Sequence, residues 1–318
     1  VVTALQAPGS RIVAGGTDLL PNLKHRLDAP PLLISLSRLR VLRAVVRDDA
    51  AGVLRIGAAV TLTELSEHPD VQAAFPSLAR AAALIASPSI RNMGTIGGNV
   101  HLDTRCRYVN QTAFWRESIG GGCLKSEGDV CHVVPGGKNC VAAMSSDCAP
   151  VLTTLDAELV LLGPSGSRTV AIADYYNTDG VHHINKAADE WMTELRLPLP
   201  RGPRRAAYVK WTVRKSIDFP LVSVALRFDL DRDGALADAR ITAASVCVGV
   251  LNAVPRLLKR AELLHGRRLA DAATADALCQ LVAAQCKPLD NVPYEAAYRR
   301  KMLPVYARRA LASLVAAG

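Results

Sequence analysis

Apolar runs bounded by glycine, proline and polar residues divide the chain into short strands and helices. Residues 10–24 read as a strand, a glycine turn and a short helix. Residues 31–36 and 53–58 read as further strands, and Val41, Leu42, Val45 and Val46 add another between them. Thr61-Leu62-Thr63-Glu64 has the spacing of a capping box, where a threonine and a glutamate three residues on satisfy each other's backbone amides, so a helix starts there. The next helix follows Pro76, carries Leu78, Ala81, Ala82 and Ile85 on one face, and stops near Ser87-Pro88. Residues 151–162 read as a helix followed by a strand, closed by Gly163-Pro164.

The run 198–205 holds three prolines and a glycine and is the strongest domain boundary. Beyond it the pattern predicts strands at 206–213, 221–230 and 239–250, the last two joined across Asp231-Arg232-Asp233-Gly234. Helices are predicted at 254–265, 270–286 and about 294–316. The fold class is therefore α+β, with strands and helices segregated in the last third. No internal repeat or low-complexity segment interrupts it.

With 318 residues, half of them apolar, the chain is expected to form two or three domains around large cores. No apolar run reaches the ~18 residues of a membrane span, and no basic-then-apolar leader precedes the first motif. The helix-like start at Val1 to Leu5 suggests that a short piece precedes it, and the expected location is cytoplasmic, with export alongside a partner subunit left open. The net charge of +9 is dispersed, and aromatics make up only 4% of the residues, so no basic groove with a stacking platform for nucleic acid is visible. Anionic cofactors or an acidic partner are the expected use of that charge.

Two glycine turns stand about 80 residues apart, Ala14-Gly15-Gly16-Thr17-Asp18 and Gly94-Thr95-Ile96-Gly97-Gly98-Asn99. Turns of this kind let backbone amides approach a phosphate without side chains in the way. The hexapeptide of a Rossmann dinucleotide site is missing, so the expectation is one diphosphate held from both sides by two separate turns. Five of the eight cysteines fall in the next stretch. Cys106, Cys123, Cys131 and Cys140 lie within 35 residues, separated by gaps of 16, 7 and 8, whereas structural zinc favours close pairs. Thiolate tetrads serve iron-sulfur and zinc alike, so the residues alone leave the metal open. Cys247 and Cys279 read as buried inert thiols, Cys286 needs no role, Cys148 is a fifth thiol of the central stretch, and His132 reads as a residue beside the metal site rather than a ligand.

The two turns, with Ser146-Asp147, Ala149-Pro150, Ala207-Tyr208-Val209-Lys210, Asp218 to Ala225 and Tyr298 to Met302, resemble the flavin-binding subunit or domain of the xanthine dehydrogenase and carbon monoxide dehydrogenase family. The resemblance implies a two-part FAD-binding domain of the vanillyl-alcohol-oxidase type over 1–178, with subdomains of about 1–50 and 51–178. It also implies a carboxy-terminal domain over 203–318, a three-stranded antiparallel sheet with a helical bundle. Flavin contacts are then expected from Ile12, Val13, Ala14, Gly15, Gly16, Thr17, Asp18 and Leu19, from Thr95, Ile96, Gly97, Gly98 and Asn99, and from Asp147 and Lys210. The segment of about 102–145 is longer than in most of the family and is similar to that of the β subunit of 4-hydroxybenzoyl-CoA reductase, where an insertion holds a 4Fe-4S cluster. That likeness implies Cys106, Cys123, Cys131 and Cys140 as cluster ligands.

The implied function is an electron-transfer subunit of a molybdenum enzyme, with no catalytic residue of its own. Its expected partners are a large molybdopterin-binding subunit and a small subunit with two 2Fe-2S clusters, assembled as a dimer of heterotrimers, and a ferredoxin-like external carrier. The leading expectation is a subunit for reductive dehydroxylation of an aromatic acyl-CoA. The alternative is the medium subunit of a molybdenum hydroxylase or aldehyde or xanthine-type dehydrogenase that runs electrons outward. A zinc-stabilised, non-enzymatic scaffold is the third reading.

Overall fold

A computed structural model describes residues 1–232 and 238–316. Among the described residues, eleven strands form three sheets: β1 (Arg11–Val13) and β2 (Leu33–Ser35), then β3 (Val45–Asp48), β4 (Val53–Gly57), β5 (Glu158–Gly163), β6 (Gly166–Ala171) and β7 (Trp191–Pro198), then β8 (Arg204–Trp211), β9 (Val222–Leu230), β10 (Ile241–Gly249) and β11 (Arg256–Leu257). β1 and β2 pair in parallel. The five-stranded sheet has the order β3-β4-β7-β5-β6, and each neighbouring pair is antiparallel. Its central strand shows the two-residue period directly: Leu195 and Leu197 are buried while Glu194 and Arg196 are more open. Because β7 lies at 191–198, the first unit extends beyond the expected end at residue 178. The proline-rich run then carries the chain from β7 into the next sheet.

The capping box forms as expected: the Thr61 hydroxyl accepts from the Glu64 amide at 3.1 Å, and the Glu64 carboxylate accepts from the Thr61 amide at 2.8 Å, opening the helix Leu62–Glu67. Short helices at Pro69–Ala74 and Pro76–Ala83 each start on a proline, where the missing amide would have had no partner. Leu65, Phe75, Leu78, Ala81 and Ala82 pack from these helices against Leu54, Ile56, Leu159, Leu195 and Leu197 of the sheet.

The carboxy-terminal sheet has the order β11-β10-β9-β8 and two functional faces. Along β9, Val222, Val224, Leu226 and Phe228 join Leu278, Val282, Leu303 and Ala307 of the helices Ala272–Gln285 and Ala296–Ala316. The opposite face sends Tyr208, Ala225 and Cys247 into the core of the first unit, against the helix Cys148–Thr154, all of whose residues are buried. That helix is the joint between the two units. No helix among the described residues is long and apolar enough to cross a membrane.

Three expectations change. Val41 and Leu42 lie in a 3-10 turn, Arg40–Arg43, and only the residues from Val45 onward are extended. The helix expected at 254–265 is replaced by β11 and a 3-10 turn at Ala261–Leu264. Pro255 has no amide for a helix, Arg256 and Leu257 pair with β10, and Arg260 takes a left-handed φ of 64°. β11 also makes the expected three-stranded sheet four-stranded. Of the turn expected at 231–234, Asp233 and Gly234 lie outside the described residues.

Candidate functional site

Ile12 and Val13 end β1, and Ala14 to Asp18 form the turn that leads into the helix Leu19–Lys24. Among the described residues, the amides of Gly15, Gly16, Thr17, Asp18 and Leu19 donate to no protein acceptor. A row of amides in this arrangement can hold an anion. Gly16 has a φ of 71°, the left-handed region where glycine is favoured. A methyl group on Gly15 would lie 1.8 Å from the Met93 carbonyl oxygen, so the backbones of the two glycine turns are in direct contact.

The second turn is built differently. Ile96 donates to Val60 at 2.9 Å, Gly97 to Ala58 at 2.9 Å, Gly98 to the Thr95 hydroxyl at 3.0 Å and Asn99 to Thr95 at 2.9 Å. The Ile96–Asn99 amides, expected with the first turn at the diphosphate, are engaged by the helix Ile96–Val100 and by its anchoring to the segment after β4. What this turn supplies is a wall. Asn99 turns its side-chain carbonyl inward to accept from the Ser146 hydroxyl at 2.6 Å and the Cys148 amide at 3.2 Å, which fixes the start of the joint helix.

At the same helix start, Asp147 is buried and its Oδ1 accepts from the Tyr208 hydroxyl at 2.7 Å and pairs with Lys210 Nζ at 3.0 Å. Tyr208 and Lys210 are two apart on β8 and so share the face turned to the first unit. Burial pushes the Asp147 carboxyl up, and the nearby Lys210 cation and the Tyr208 hydroxyl pull it back. The expected pair Asp147 and Lys210 is thus brought together, and Tyr208 belongs with it.

His101 closes the second turn, its Nδ1 2.7 Å from the Gly97 carbonyl and its Nε2 2.7 Å from the Tyr175 hydroxyl. The carbonyl can only accept, so Nδ1 carries a proton, and a neutral ring with Nε2 accepting from the Tyr175 hydroxyl satisfies both contacts. Burial is the main cause that lowers its pKa to about 4 from 6.5. The folded chain therefore binds fewer protons than the unfolded chain between those values, and stability that is complete above pH 6.5 is lost as pH falls toward 4. From this residue the unfolding free energy in urea should drop by about 1–2 kcal/mol between pH 7 and 5. His101→Gln should flatten that part of the profile; an unchanged slope would show that His101 does not titrate as a buried base.

The four cysteines Cys106, Cys123, Cys131 and Cys140 line one small cavity together with Tyr108, Lys125 and His132. Three of the sulfurs have a local donor: the Ser126 hydroxyl 3.6 Å from Cys123, the Val134 amide 3.4 Å from Cys131 and the Ala142 amide 3.5 Å from Cys140. The backbone of Tyr108 and Val109 does the same for Cys106. Burial nonetheless pushes the Cys106 thiol up to about 11 and raises Cys140 as well, so holding these sulfurs as thiolates calls for a cationic centre in the cavity. No three Cys, His, Asp or Glu side chains among the described residues are grouped tightly enough to hold a single ion. Cys148 is buried in the joint helix and is not part of the lining, while His132 lines the cavity with Nε2 buried and without a partner.

Two further side chains, Lys125 and Arg105, hold this arrangement. Lys125 Nζ donates to Asp103 Oδ1 at 2.5 Å, Thr104 Oγ1 at 2.6 Å and the Gly180 carbonyl at 2.8 Å, pinning the cysteine loop to its base. Arg105, next to Cys106, pairs with Asp18 of the first turn across 87 positions of sequence. No local pattern could have revealed either partner.

Residues 1–200 match the family described as the FAD binding domain in molybdopterin dehydrogenase, and residues 207–314 match the CO dehydrogenase flavoprotein C-terminal domain. The chain is 36% identical over 244 residues to the aldehyde oxidoreductase FAD-binding subunit PaoB of Escherichia coli K12, covering 74% of this chain and 76% of that protein. It is 28% identical over 305 residues to the carbon monoxide dehydrogenase medium chain of Hydrogenophaga pseudoflava, covering 95% of this chain and 88% of that one. A solved Cu,Mo-CO dehydrogenase superposes with a TM-score of 0.79 at 26% identity, covering 100% of this chain and 94% of that chain. With free amides at a turn closed by a second turn, and with both parts of the chain matched, the protein belongs to the FAD-binding medium subunits of the xanthine dehydrogenase and carbon monoxide dehydrogenase family.

Proposed function

We propose that this chain is the flavin subunit of an outward-running molybdenum hydroxylase or aldehyde-type dehydrogenase, and that it carries a 4Fe-4S cluster on Cys106, Cys123, Cys131 and Cys140 beside its FAD. The observation that carries the proposal is the junction of the two sites: the cavity lined by four cysteines starts at the residue after Arg105, which is paired to the free-amide turn. Bound FAD supplies exchange between two-electron and one-electron chemistry, and a 4Fe-4S cluster supplies a one-electron relay. In this reading the amides of Gly15 to Leu19 hold the diphosphate, and the Lys210 cation, steadied by Asp147, stands by the flavin ring. The local donors to the four sulfurs stabilise thiolate charge and tune the potential.

Substrate chemistry then belongs to a large molybdopterin-binding partner, with a small 2Fe-2S subunit between. The relative named as an aldehyde oxidoreductase subunit, at 36% identity, supports outward flow. The second reading, reductive dehydroxylation of an aromatic acyl-CoA fed by a ferredoxin-like donor, is favoured by the cysteine-bearing segment alone. Zinc as a structural ion is disfavoured by the cysteine spacing, whose gaps of 16, 7 and 8 residues lack the close pairs of structural zinc sites.

The purified complex decides among these. We expect oxidation of aldehydes or heterocycles with an artificial acceptor, one flavin per chain and about four irons on this subunit. Dehydroxylation of 4-hydroxybenzoyl-CoA with no oxidase activity would favour the reductase instead, and zinc without flavin would establish the scaffold. Cys131→Ser should remove the 4Fe-4S signal while FAD remains bound; a full cluster in that variant refutes the ligand assignment.

A further inference from the structure

We propose that Arg105 is a positioning residue shared by the two sites: reaching from the base of the cysteine loop, it neutralises Asp18, the carboxylate that stands in the row of free amides. The inference rests on the reading of that turn as the diphosphate site.

Asp18 occupies the position that caps the helix Leu19–Lys24, where an aspartate ordinarily turns its carboxylate to the first amides of its own helix. Here it makes no such bond. Its carboxylate faces Arg105 instead, with a long 3.5 Å contact from Asn22. A bare carboxylate in this turn would repel a diphosphate on the neighbouring amides, and the partly buried setting would strengthen the repulsion. Arg105 cancels that charge.

Arg105 is itself held from two further directions. Its backbone exchanges hydrogen bonds with Ala143 in both directions, at 2.8 and 2.7 Å, closing the loop at its base. Its side chain lies over the Phe219 ring at 4.6 Å, in the carboxy-terminal unit, and its buried Nε donates to nothing. The loop cannot leave its seat without stripping the counter-charge from Asp18. A diphosphate on the turn accordingly favours the seated loop, and a seated loop favours the diphosphate, by the same factor.

The test titrates the full chain and its variants with FAD and follows amide hydrogen exchange over residues 106–140. Arg105→Gln should weaken FAD binding by roughly tenfold or more, a coupling of ordinary allosteric size. Asp18→Asn removes the repelling charge and should change affinity by less than about threefold, and the double variant should recover most of the loss. FAD should slow exchange of the loop in the natural chain and not in Arg105→Gln. Equal losses in both single variants with no recovery in the double, or loop exchange indifferent to FAD, would overturn the inference. Should Arg105→Gln fail to fold, Asp18→Asn decides alone: retained affinity supports the role, and a tenfold loss overturns it. A natural chain that binds FAD with its affinity unchanged by Arg105→Gln defeats this inference only; one that binds no FAD defeats the reading of the turn as well.

Discussion

Gly15→Ala is expected to yield a chain that retains less than roughly a tenth of its flavin on purification and is destabilised by about 3 kcal/mol, at the upper end of overpacking effects. The added methyl would lie 1.8 Å from the Met93 carbonyl oxygen, 2.5 Å from its carbon and 3.0 Å from the Gly94 amide nitrogen. Those are backbone atoms, so no rotamer change relieves the overlap. The turns must separate, and with them the free amides of one and the wall formed by the other. Gly202→Ala serves as the control, because nothing lies within 4 Å of its methyl position and it should cost less than about half a kcal/mol. Flavin content from the visible spectrum, read alongside urea unfolding, gives the result; stoichiometric flavin on Gly15→Ala would mean that the contact between the turns does not shape the site.

Arg299→Leu should lower stability by roughly 3–5 kcal/mol, the range for breaking a fully buried charged network. Arg299 is 0% exposed, and its bonds all go to carbonyl oxygens: Leu221 at 3.0 Å, Leu289 at 2.6 Å, the Asn291 side chain at 3.2 Å and Val250 at 2.5 Å. Burial pulls its pKa down to about 10, still far above neutrality, so the cation persists. Val250 has a φ of 65°, a strained conformation for a β-branched residue, and its carbonyl is one of those Arg299 receives. Leucine would leave four buried acceptors without a donor and release the strained corner. Arg299→Lys should rescue little, since one ammonium cannot span a planar fork of acceptors. The transition should move down by at least about 10 °C; a shift under about 2 °C would show that water replaces the guanidinium without penalty.

Much of the local structure could be read from short-range pattern. The Thr61-Glu64 spacing placed a helix start, and the apolar run at 206–213 placed the strand that carries Tyr208 and Lys210. The two glycine turns stood out because a missing side chain is itself a signal. The pattern could not say that one turn would keep its amides free while the other engaged them, because the acceptors Val60 and Ala58 lie more than thirty positions earlier. Cysteine spacing suggested a shared centre, but the closure of the loop through Arg105, Lys125 and Gly180 depends on contacts between residues 21 to 87 positions apart. At 254–265 the apolar spacing was helical, yet Pro255 and the open edge of β10 proved stronger than periodicity.

The helix Cys148–Thr154 is enclosed by both units, with Pro150 close to Gly249 on one side and Asn99 bound to its first turn on the other. Two bodies that share a dry apolar wedge of this kind have no hinge between them, unlike domains that merely touch across a wet seam. The molecule is a rigid chassis: it should melt in one cooperative step, and damage at Arg299, which holds the Val250 carbonyl beside Gly249 and the joint helix, should be felt as a loosened grip on the nucleotide.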